Sequence, residues 1–331
     1  MRSIESISPR FLGFLSILKN ENEVGVDTSQ TKMQNIKDFP PVYRNPRRQL
    51  VLQICGWAVN ESLIEDVISR LEDRKLFNRA TAIAIFHFQV QRGVQCLHKG
   101  AKQLDDPRYQ FIAMALAGFS SNADQAKVWK ETCGSVIDQL NDPYLKSCFS
   151  FLCNAEDSYF PILYDDNLRL LDRIAFACTF LDDPTLLHYM EEEMEKAIRA
   201  GNIEGIPLTG LSLDGVSLFQ NYIDNTTDIQ TASLAMSRVV PSRFLDSTVS
   251  QWTQLYKQLL DSWQLWHQRA LLDISMAEGP LSEAKPAQVF ARCTFCNNTL
   301  ELGLNNSKVN DRSRFIRTAR SHPVEKVKVR Y

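Results

Sequence analysis

The sequence predicts an all-α protein, an α-solenoid of stacked helical hairpins, and three observations support this fold class. Gly and Pro number only 13 each in 331 residues, fewer than an all-β protein of this size needs for its turns. Apolar residues recur at three- and four-residue spacing from Gln49 onwards, as they do on one face of a helix. The third observation is a short capping motif that recurs along the chain.

In this motif, aspartate or asparagine is followed by aspartate and then by proline. It occurs three times: Asp105-Asp106-Pro107, Asn141-Asp142-Pro143 and Asp182-Asp183-Pro184. An aspartate N-cap with proline at the first helical position is a favourable way to begin a helix. The prolines are 36 and then 41 residues apart, which suits helical hairpins of roughly 34–47 residues per repeat. We therefore expect these carboxylates to cap helices, although paired carboxylates can also perform acid–base chemistry.

Two further segments carry distinct predictions about packing. The helix predicted over Phe77–Val90 is apolar nearly all round, so we expect it to lie between neighbouring helices. Thr248–Met276 is predicted to be one long helix with a stripe of large apolar residues. Such a stripe must be buried against neighbouring helices or against a partner subunit, and we favour the core. The stripe consists of Trp252, Leu255, Leu259, Trp263, Trp266, Ala270 and Ile274.

The two ends of the chain lack this periodicity, and this sets the predicted domain boundaries. Residues 1–46 contain a polar stretch and two proline breaks, which predict a flexible leader. The solenoid is assigned to 47–278, a truncated zinc-knuckle segment to 279–300 and a disordered basic tail to 301–331. From Lys308 to Tyr331 there are eight basic and two acidic residues, a net charge of +6. A basic cluster of Arg44, Arg47 and Arg48 is expected to be solvated.

Charge and hydropathy exclude several classes of function. The net charge of −2 gives no general attraction to nucleic acid or to an anionic membrane. Phe11–Leu18 is an apolar run of only eight residues, whereas a transmembrane helix needs about 20. No small-residue cleavage site follows it, so a signal peptide is not expected. We predict no nucleic-acid partner and no transmembrane segment.

Cysteine usage predicts a reduced, cytosolic setting. Six of the eight cysteines lie singly in apolar helical stretches, and we interpret them as small buried hydrophobic residues. Their spacing suggests no disulfide framework, and reduced thiols are typical of the cytosol. These six are Cys55, Cys96, Cys133, Cys148, Cys153 and Cys178.

The lack of recognisable catalytic motifs predicts that the protein is not an enzyme and needs no cofactor. There is no phosphate-binding glycine loop, nucleophile elbow or metalloprotease helix, and the five histidines are scattered. The one metal-like spacing is Cys293-x-x-Cys296, but a structural zinc site needs four ligands. Only His322 follows it, so the expected site is incomplete. A zinc-dependent ligase or nucleic-acid adaptor that uses this pair and the basic tail stays open as a hypothesis, and a one-to-one zinc content would support it.

Several segments, in the same order along the chain, carry a family resemblance. The sequence resembles the Mio (missing oocyte) family from about Arg47 to Leu300. The matching segments are Gln53–Trp57, Asp172–Cys178, Ala200–Gly205, Leu208–Leu211, Asp228–Ser233, Leu259–His267 and Pro286–Phe290, followed by the Cys293/Cys296 pair.

The resemblance implies a subunit of the GATOR (or SEA) assembly at the lysosomal or vacuolar surface, where it helps relay amino-acid sufficiency to the TOR kinase complex as a positive regulator. It also implies protein-subunit partners, and membrane association through those partners. Family members carry a WD-repeat propeller, an α-solenoid and a zinc module, whose first ligand pair Cys293 and Cys296 match. Without a propeller before residue 47 or the remaining zinc ligands, we expect a fragment or variant product. A vesicle-coat or membrane-tethering solenoid subunit is the alternative, because such proteins share the fold.

Overall fold

The computed structural model describes residues 12–19, 32–34, 40–58, 60–119, 123–137, 140–153, 159–237 and 246–277, and these are almost entirely helical. A short antiparallel pair of strands, with Met33 opposite Tyr43, precedes the main helices. The α-helices and strands are α1 (Phe14–Lys19), β1 (Lys32–Gln34), β2 (Val42–Arg44), α2 (Pro46–Cys55), α3 (Glu61–Asp73), α4 (Phe77–Phe86), α5 (Val90–Leu104), α6 (Arg108–Ala117), α7 (Ala123–Ile137), α8 (Pro143–Cys153), α9 (Phe160–Leu163), α10 (Leu170–Phe180), α11 (Asp183–Ala200), α12 (Ile206–Thr209), α13 (Leu213–Thr226), α14 (Ile229–Met236), α15 (Ser247–Ser262) and α16 (Trp266–Ala277). This confirms the predicted all-α solenoid. None of the described helices is long and apolar enough to cross a membrane.

Helices α2 to α6 form an outgoing run, and α7 to α10 form a returning run. The two runs share one core. Helices α3, α4 and α5 each pack against the next helix in the chain, and α7 packs against α8. Helix α8 lies against α4, and α10 lies against α2, so the chain folds back on itself. Beyond α10, neighbouring helices pack on one another: α11 contacts α13, α14 contacts α15, and α15 contacts α16, while α1 returns to contact α11 and α12.

The returning run explains why α4 and α10 are apolar on nearly every side. Helix α4 contacts α3, α5 and α8, which confirms the prediction that this helix lies between neighbours. The ring of Phe86 on α4 lies 5.4 Å from that of Phe151 on α8 and 4.9 Å from that of Phe176 on α10. Phe180 lies 4.7 Å from Phe176. This aromatic cluster joins the outgoing and returning runs.

The prediction of a flexible leader over residues 1–46 is wrong for the part of that range that the structure describes. Helix α1 buries Phe14, Leu15 and Ile17 and packs against α2, α11 and α12. A Cβ added at Gly13 would lie 2.0 Å from the carbonyl oxygen of Leu208, so the chain approaches α12 closely. The eight-residue apolar run that is too short for a membrane span is long enough for one buried helical turn. Residues 1–11, 20–31 and 35–39 lie outside the described residues.

The basic cluster before α2 is likewise not uniformly solvated. Arg44 is exposed, but Arg47 is half-buried and Arg48 is only 1% exposed. Arg48 Nη1 donates hydrogen bonds to the carbonyl oxygens of Cys178 and Leu181, at 2.9 and 2.7 Å. These carbonyls belong to the C-terminal end of α10, which has no intrahelical donors for them. Arg48, on α2 of the outgoing run, therefore caps the C-terminal end of α10 in the returning run.

The predicted capping role of the aspartate–proline motif is confirmed at Asp142, whereas Asp182 occupies the N-cap position of α11 without a side-chain capping bond. Asp142 Oδ1 accepts hydrogen bonds from the first backbone N–H groups of α8, at 3.0 and 3.1 Å. Asp106 Oδ1 accepts one from the backbone N–H of Arg108, at 3.0 Å. The Asp182 side chain makes no capping hydrogen bond. In this third motif the neighbouring Asp183 forms an ion pair with Arg48 instead.

The predicted single helix over Thr248–Met276 is wrong, because the chain reverses after Ser262. Gln264 adopts a left-handed backbone conformation with φ of 59°. The backbone N–H of Leu265 then donates to the carbonyl of Leu260, and that of Gln264 donates to Asp261. These two bonds form a Schellman motif, which usually has glycine at the left-handed position. Because glutamine occupies it here, no glycine marks the turn in the sequence.

Candidate partner-binding surface

The described residues contain no group of three or more His, Cys, Asp or Glu side chains that could hold a metal ion. Cys293 and Cys296 lie outside the described residues, so the incomplete zinc site stays a prediction. The side chains that the structure brings together are instead buried ion pairs, buried thiols and exposed apolar residues. Each has a different consequence for function.

The six described cysteines are free thiols, and their environment makes them unreactive. Five are buried, and Cys153 is half-buried. Burial raises the pKa of Cys96 and of Cys178 to about 12, and it raises the pKa of Cys153 to about 11. A thiol must be deprotonated to act as a nucleophile or a metal ligand. The prediction that these cysteines are buried hydrophobic residues is confirmed for five of them, and Cys153 is half-buried.

The raised thiol pKa values give a first testable prediction. In the variant Cys293→Ser/Cys296→Ser, we expect no thiol to react rapidly with Ellman's reagent at pH 8 in the native state. Six thiols should react after unfolding in guanidinium. A thiol with a pKa near 11 is only about 0.1% thiolate at pH 8. Rapid reaction of even one stoichiometric thiol in the folded variant would show that the described thiols are accessible.

Asp172 joins three helices and the loop after α2 through one buried carboxylate. Its side chain is 5% exposed. Asp172 Oδ1 accepts from Trp57 Nε1 at 3.0 Å, and Oδ2 accepts from Arg79 Nε at 2.8 Å and from Tyr144 Oη at 2.7 Å. Arg79 lies on α4, Tyr144 on α8 and Asp172 itself on α10. Since all its partners are structural, this carboxylate fixes the fold and has no free oxygen for catalysis.

Arg173 makes the neighbouring buried ion pair. Its guanidinium lies 3.0 Å from the carboxylate of Glu193 on α11, and both side chains are at most 6% exposed. Arg173 Nη1 also donates to the carbonyl oxygen of Leu163 at the end of α9, at 2.9 Å. The sequence placed Asp172 and Arg173 only in a matching segment and gave no signal of their partners, which lie on other helices.

His87 is a half-buried imidazole at the end of α4. Its ring lies 5.6 Å from the ring of Trp57, and its Nε2 has no hydrogen-bond partner among the described residues. Burial lowers its pKa to about 4, and the positive charge of Arg44 contributes to the same direction. A histidine that stays neutral without a carboxylate partner lacks the arrangement of a general base.

The lowered pKa of His87 gives a second prediction, on the pH dependence of stability. The folded state favours neutral imidazole, whereas the unfolded chain binds a proton with a pKa of about 6.5. Stability is therefore complete above about pH 6.5 and is lost as the pH falls towards 4. Between pH 7 and 5 we expect a loss of about 1–2 kcal/mol from this residue, measured by denaturant unfolding. The variant His87→Phe should lack this component, whereas the exposed control His188→Phe should keep it. An unchanged pH dependence in His87→Phe would contradict the account.

The largest accumulation of exposed apolar side chains lies on the hairpin of α15 and α16. Trp252 is 4% exposed, as the core interpretation predicts, but Trp263 is 60% and Trp266 is 62% exposed. The core interpretation is therefore wrong for these two tryptophans. Five further side chains of this apolar face are also exposed: Leu255, Leu259, Leu265, Leu271 and Ile274.

A family model described as "MIOS, alpha-solenoid" matches residues 2–180, which is more than half of the chain. The chain belongs to the MIOS family. The match begins at residue 2, so the family's solenoid includes α1, in agreement with the buried position of that helix.

Curated relatives of this MIOS family member extend the similarity beyond residue 180. The GATOR2 complex protein MIOS of Dictyostelium discoideum is 40% identical over 287 residues, which cover 78% of this chain and 26% of the relative. That of Danio rerio is 38% identical over 264 residues, 78% of this chain and 30% of the relative. The SEH-associated protein 4 of Saccharomyces cerevisiae is 30% identical over 263 residues, 77% of this chain and 25% of the relative. The chain thus spans less than a third of the length of these relatives.

Proposed function

We propose that this chain is a non-enzymatic scaffold subunit of a GATOR2- or SEA-type complex and that it acts in amino-acid signalling to the TOR kinase complex. The observation that carries the proposal is membership of the MIOS family, whose relatives are named as GATOR2 complex proteins. The name of the yeast relative, SEH-associated protein 4, suggests an SEH-type subunit as one partner. We further propose that the chain reaches the lysosomal or vacuolar surface through its partner subunits.

The structure supports a scaffold role because its buried charged groups are paired with other groups of the protein. The carboxylate of Asp172 and the guanidinium of Arg48 are satisfied by groups on other helices. Of the six thiols in the described part of the chain, five are buried and one is half-buried, so none is presented as a nucleophile. Such an array holds its outer surfaces at fixed positions, which is the property that a multi-subunit assembly requires of a scaffold. A zinc site at Cys293 and Cys296 stays part of the proposal only as an incomplete pair, and no step depends on it.

Affinity purification tests this function directly. The full chain, with an N-terminal tag, is recovered from cells of its own source, and the co-purified proteins are identified by mass spectrometry. We expect GATOR2-type subunits, including an SEH-type protein. Recovery of vesicle-coat subunits in their place would favour the alternative, and recovery of neither class would overturn the proposal. The destabilised Asp172→Ala variant is the control, and it should recover less of the specific partners than the wild-type chain.

A further inference from the structure

The outer face of α15 and α16 is an apolar surface at the end of the described array. Seven of the twenty large hydrophobic side chains that are exposed in the described ranges lie between Leu255 and Ile274. Leu255 and Leu259 on α15 and Trp263 at its C-cap recur at four-residue spacing. On α16, Trp266 and Ile274 are eight residues apart on one face. Each helix of this hairpin therefore has an apolar stripe that nothing described covers.

The inner contacts of this hairpin do not account for these stripes. At its start, Val249 and Trp252 pack with residues of α13 and α14, and further along Tyr256, Leu260 and Leu272 form a small cluster that is separate from the main core. In helical arrays the terminal repeat needs a polar outer face, because only inner faces are covered by neighbours. The face of α15 and α16 has the composition of an inner face. A further layer is therefore expected on it.

The chain itself supplies a segment of suitable composition. Fifty-four residues follow Ala277, the last residue of α16. The part of this stretch between Pro286 and Leu304 is the apolar one, whereas Lys308–Tyr331 carries the net charge of +6. The large apolar residues of 286–304 are Val289, Phe290, Phe295, Leu300, Leu302 and Leu304.

The connection is long enough for this segment to reach the exposed tryptophans. Helix α16 has 12 residues and is about 18 Å long. The eight residues 278–285 span up to about 27 Å when extended, so residue 286 can lie beside Trp266 at the other end of α16. A tether this short gives an effective concentration of about 1 mM or more. This favours the chain's own segment over a second copy of the protein.

We propose that residues 286–304 pack on the outer face of α15 and α16 in the same chain and cover Trp263 and Trp266. The proposal goes beyond the scaffold function and does not depend on it, because the cover forms within one chain. It also assigns a role to the residues around Cys293 and Cys296 that requires no metal. In this arrangement the pair would lie beside the end of the helical array.

Hydroxyl-radical footprinting of the full-length chain tests the proposal residue by residue. In the wild-type chain we expect oxidation of Trp263 and Trp266 to be as slow as that of buried Trp252. In the variant Val289→Asp/Phe290→Asp, oxidation of both should rise about tenfold, as a cover closed about 90% of the time would give. Unchanged protection of Trp252 in the variant shows that the helices remain folded.

A matched control uses two valines of the basic tail. The variant Val327→Asp/Val329→Asp makes the same kind of substitution outside the proposed segment and should leave Trp263 and Trp266 protected. Three results would overturn the proposal. These are rapid oxidation of both tryptophans in the wild-type chain, protection that persists in Val289→Asp/Phe290→Asp, and protection that appears only when the protein concentration is raised. The last would assign the cover to a second copy.

Discussion

Replacing Asp172 with alanine is expected to lower the free energy of unfolding by about 3–5 kcal/mol, because it leaves a buried guanidinium without its partner. Arg79 is 11% exposed and would lose its only described ion pair. The indole N–H of Trp57 and the hydroxyl of Tyr144 would lose their acceptor as well. Denaturant unfolding followed by circular dichroism gives the change.

The matched control for this prediction is Asp66→Ala. Asp66 lies on the exposed face of α3, and surface substitutions of this kind usually change stability by less than about 0.5 kcal/mol. In the double variant Asp172→Ala/Arg79→Met, part of the lost stability should return, because no unpaired charge remains buried. A loss of less than about 1 kcal/mol in Asp172→Ala would mean that this carboxylate does not hold the two runs of helices together.

Replacing Phe176 with alanine is expected to cost about 3–5 kcal/mol, the range for large-to-small changes of fully buried aromatic residues. Phe176 is fully buried and lies among the rings of Phe86, Phe151, Tyr159 and Phe180, at 4.7–5.8 Å between ring centroids. Its loss leaves a cavity where α4, α8 and α10 meet. Thermal and denaturant unfolding both measure this effect.

Phe111→Ala is the matched control, since Phe111 is 66% exposed on α6. We expect this change to alter stability by less than about 0.5 kcal/mol. A double-mutant cycle of Phe86→Leu and Phe176→Leu should show coupling of about 0.5–1.5 kcal/mol, because the two rings make an edge-on contact. Equal effects of Phe176→Ala and Phe111→Ala would contradict the position of α10 in the core.

Local patterns in the sequence predicted the helices well, because helical periodicity and capping are local properties. The apolar periodicity located α10, α11 and α13, and Gly201 has the left-handed conformation predicted at the end of α11. The return of α8 onto α4 could not be predicted, since it is a contact between residues far apart in sequence. The buried position of Arg48 was missed for the same reason: its acceptors lie about 130 residues away.

In the sequence, the exposed apolar face of α15 and α16 could be recognised only as a stripe of large apolar residues. The spacing from Trp252 to Ile274 fits one helix, and a buried stripe and an interface stripe have the same pattern. A turn at Gln264 without glycine divided the stripe between two helices. Only the packing then showed that Trp252 faces inwards while Trp263 and Trp266 face outwards. Periodicity identifies an apolar face but not what covers it.

Under the proposed function, this folded-back helical array is a scaffold that binds subunits of a GATOR2-type complex. The most direct measurement is size-exclusion chromatography with light scattering of the purified full chain mixed with an SEH-type subunit at about 10 μM each, where even a micromolar complex forms. We predict one shared peak with a mass above that of either protein. Two separate peaks, each with the mass of the isolated protein, would contradict the account.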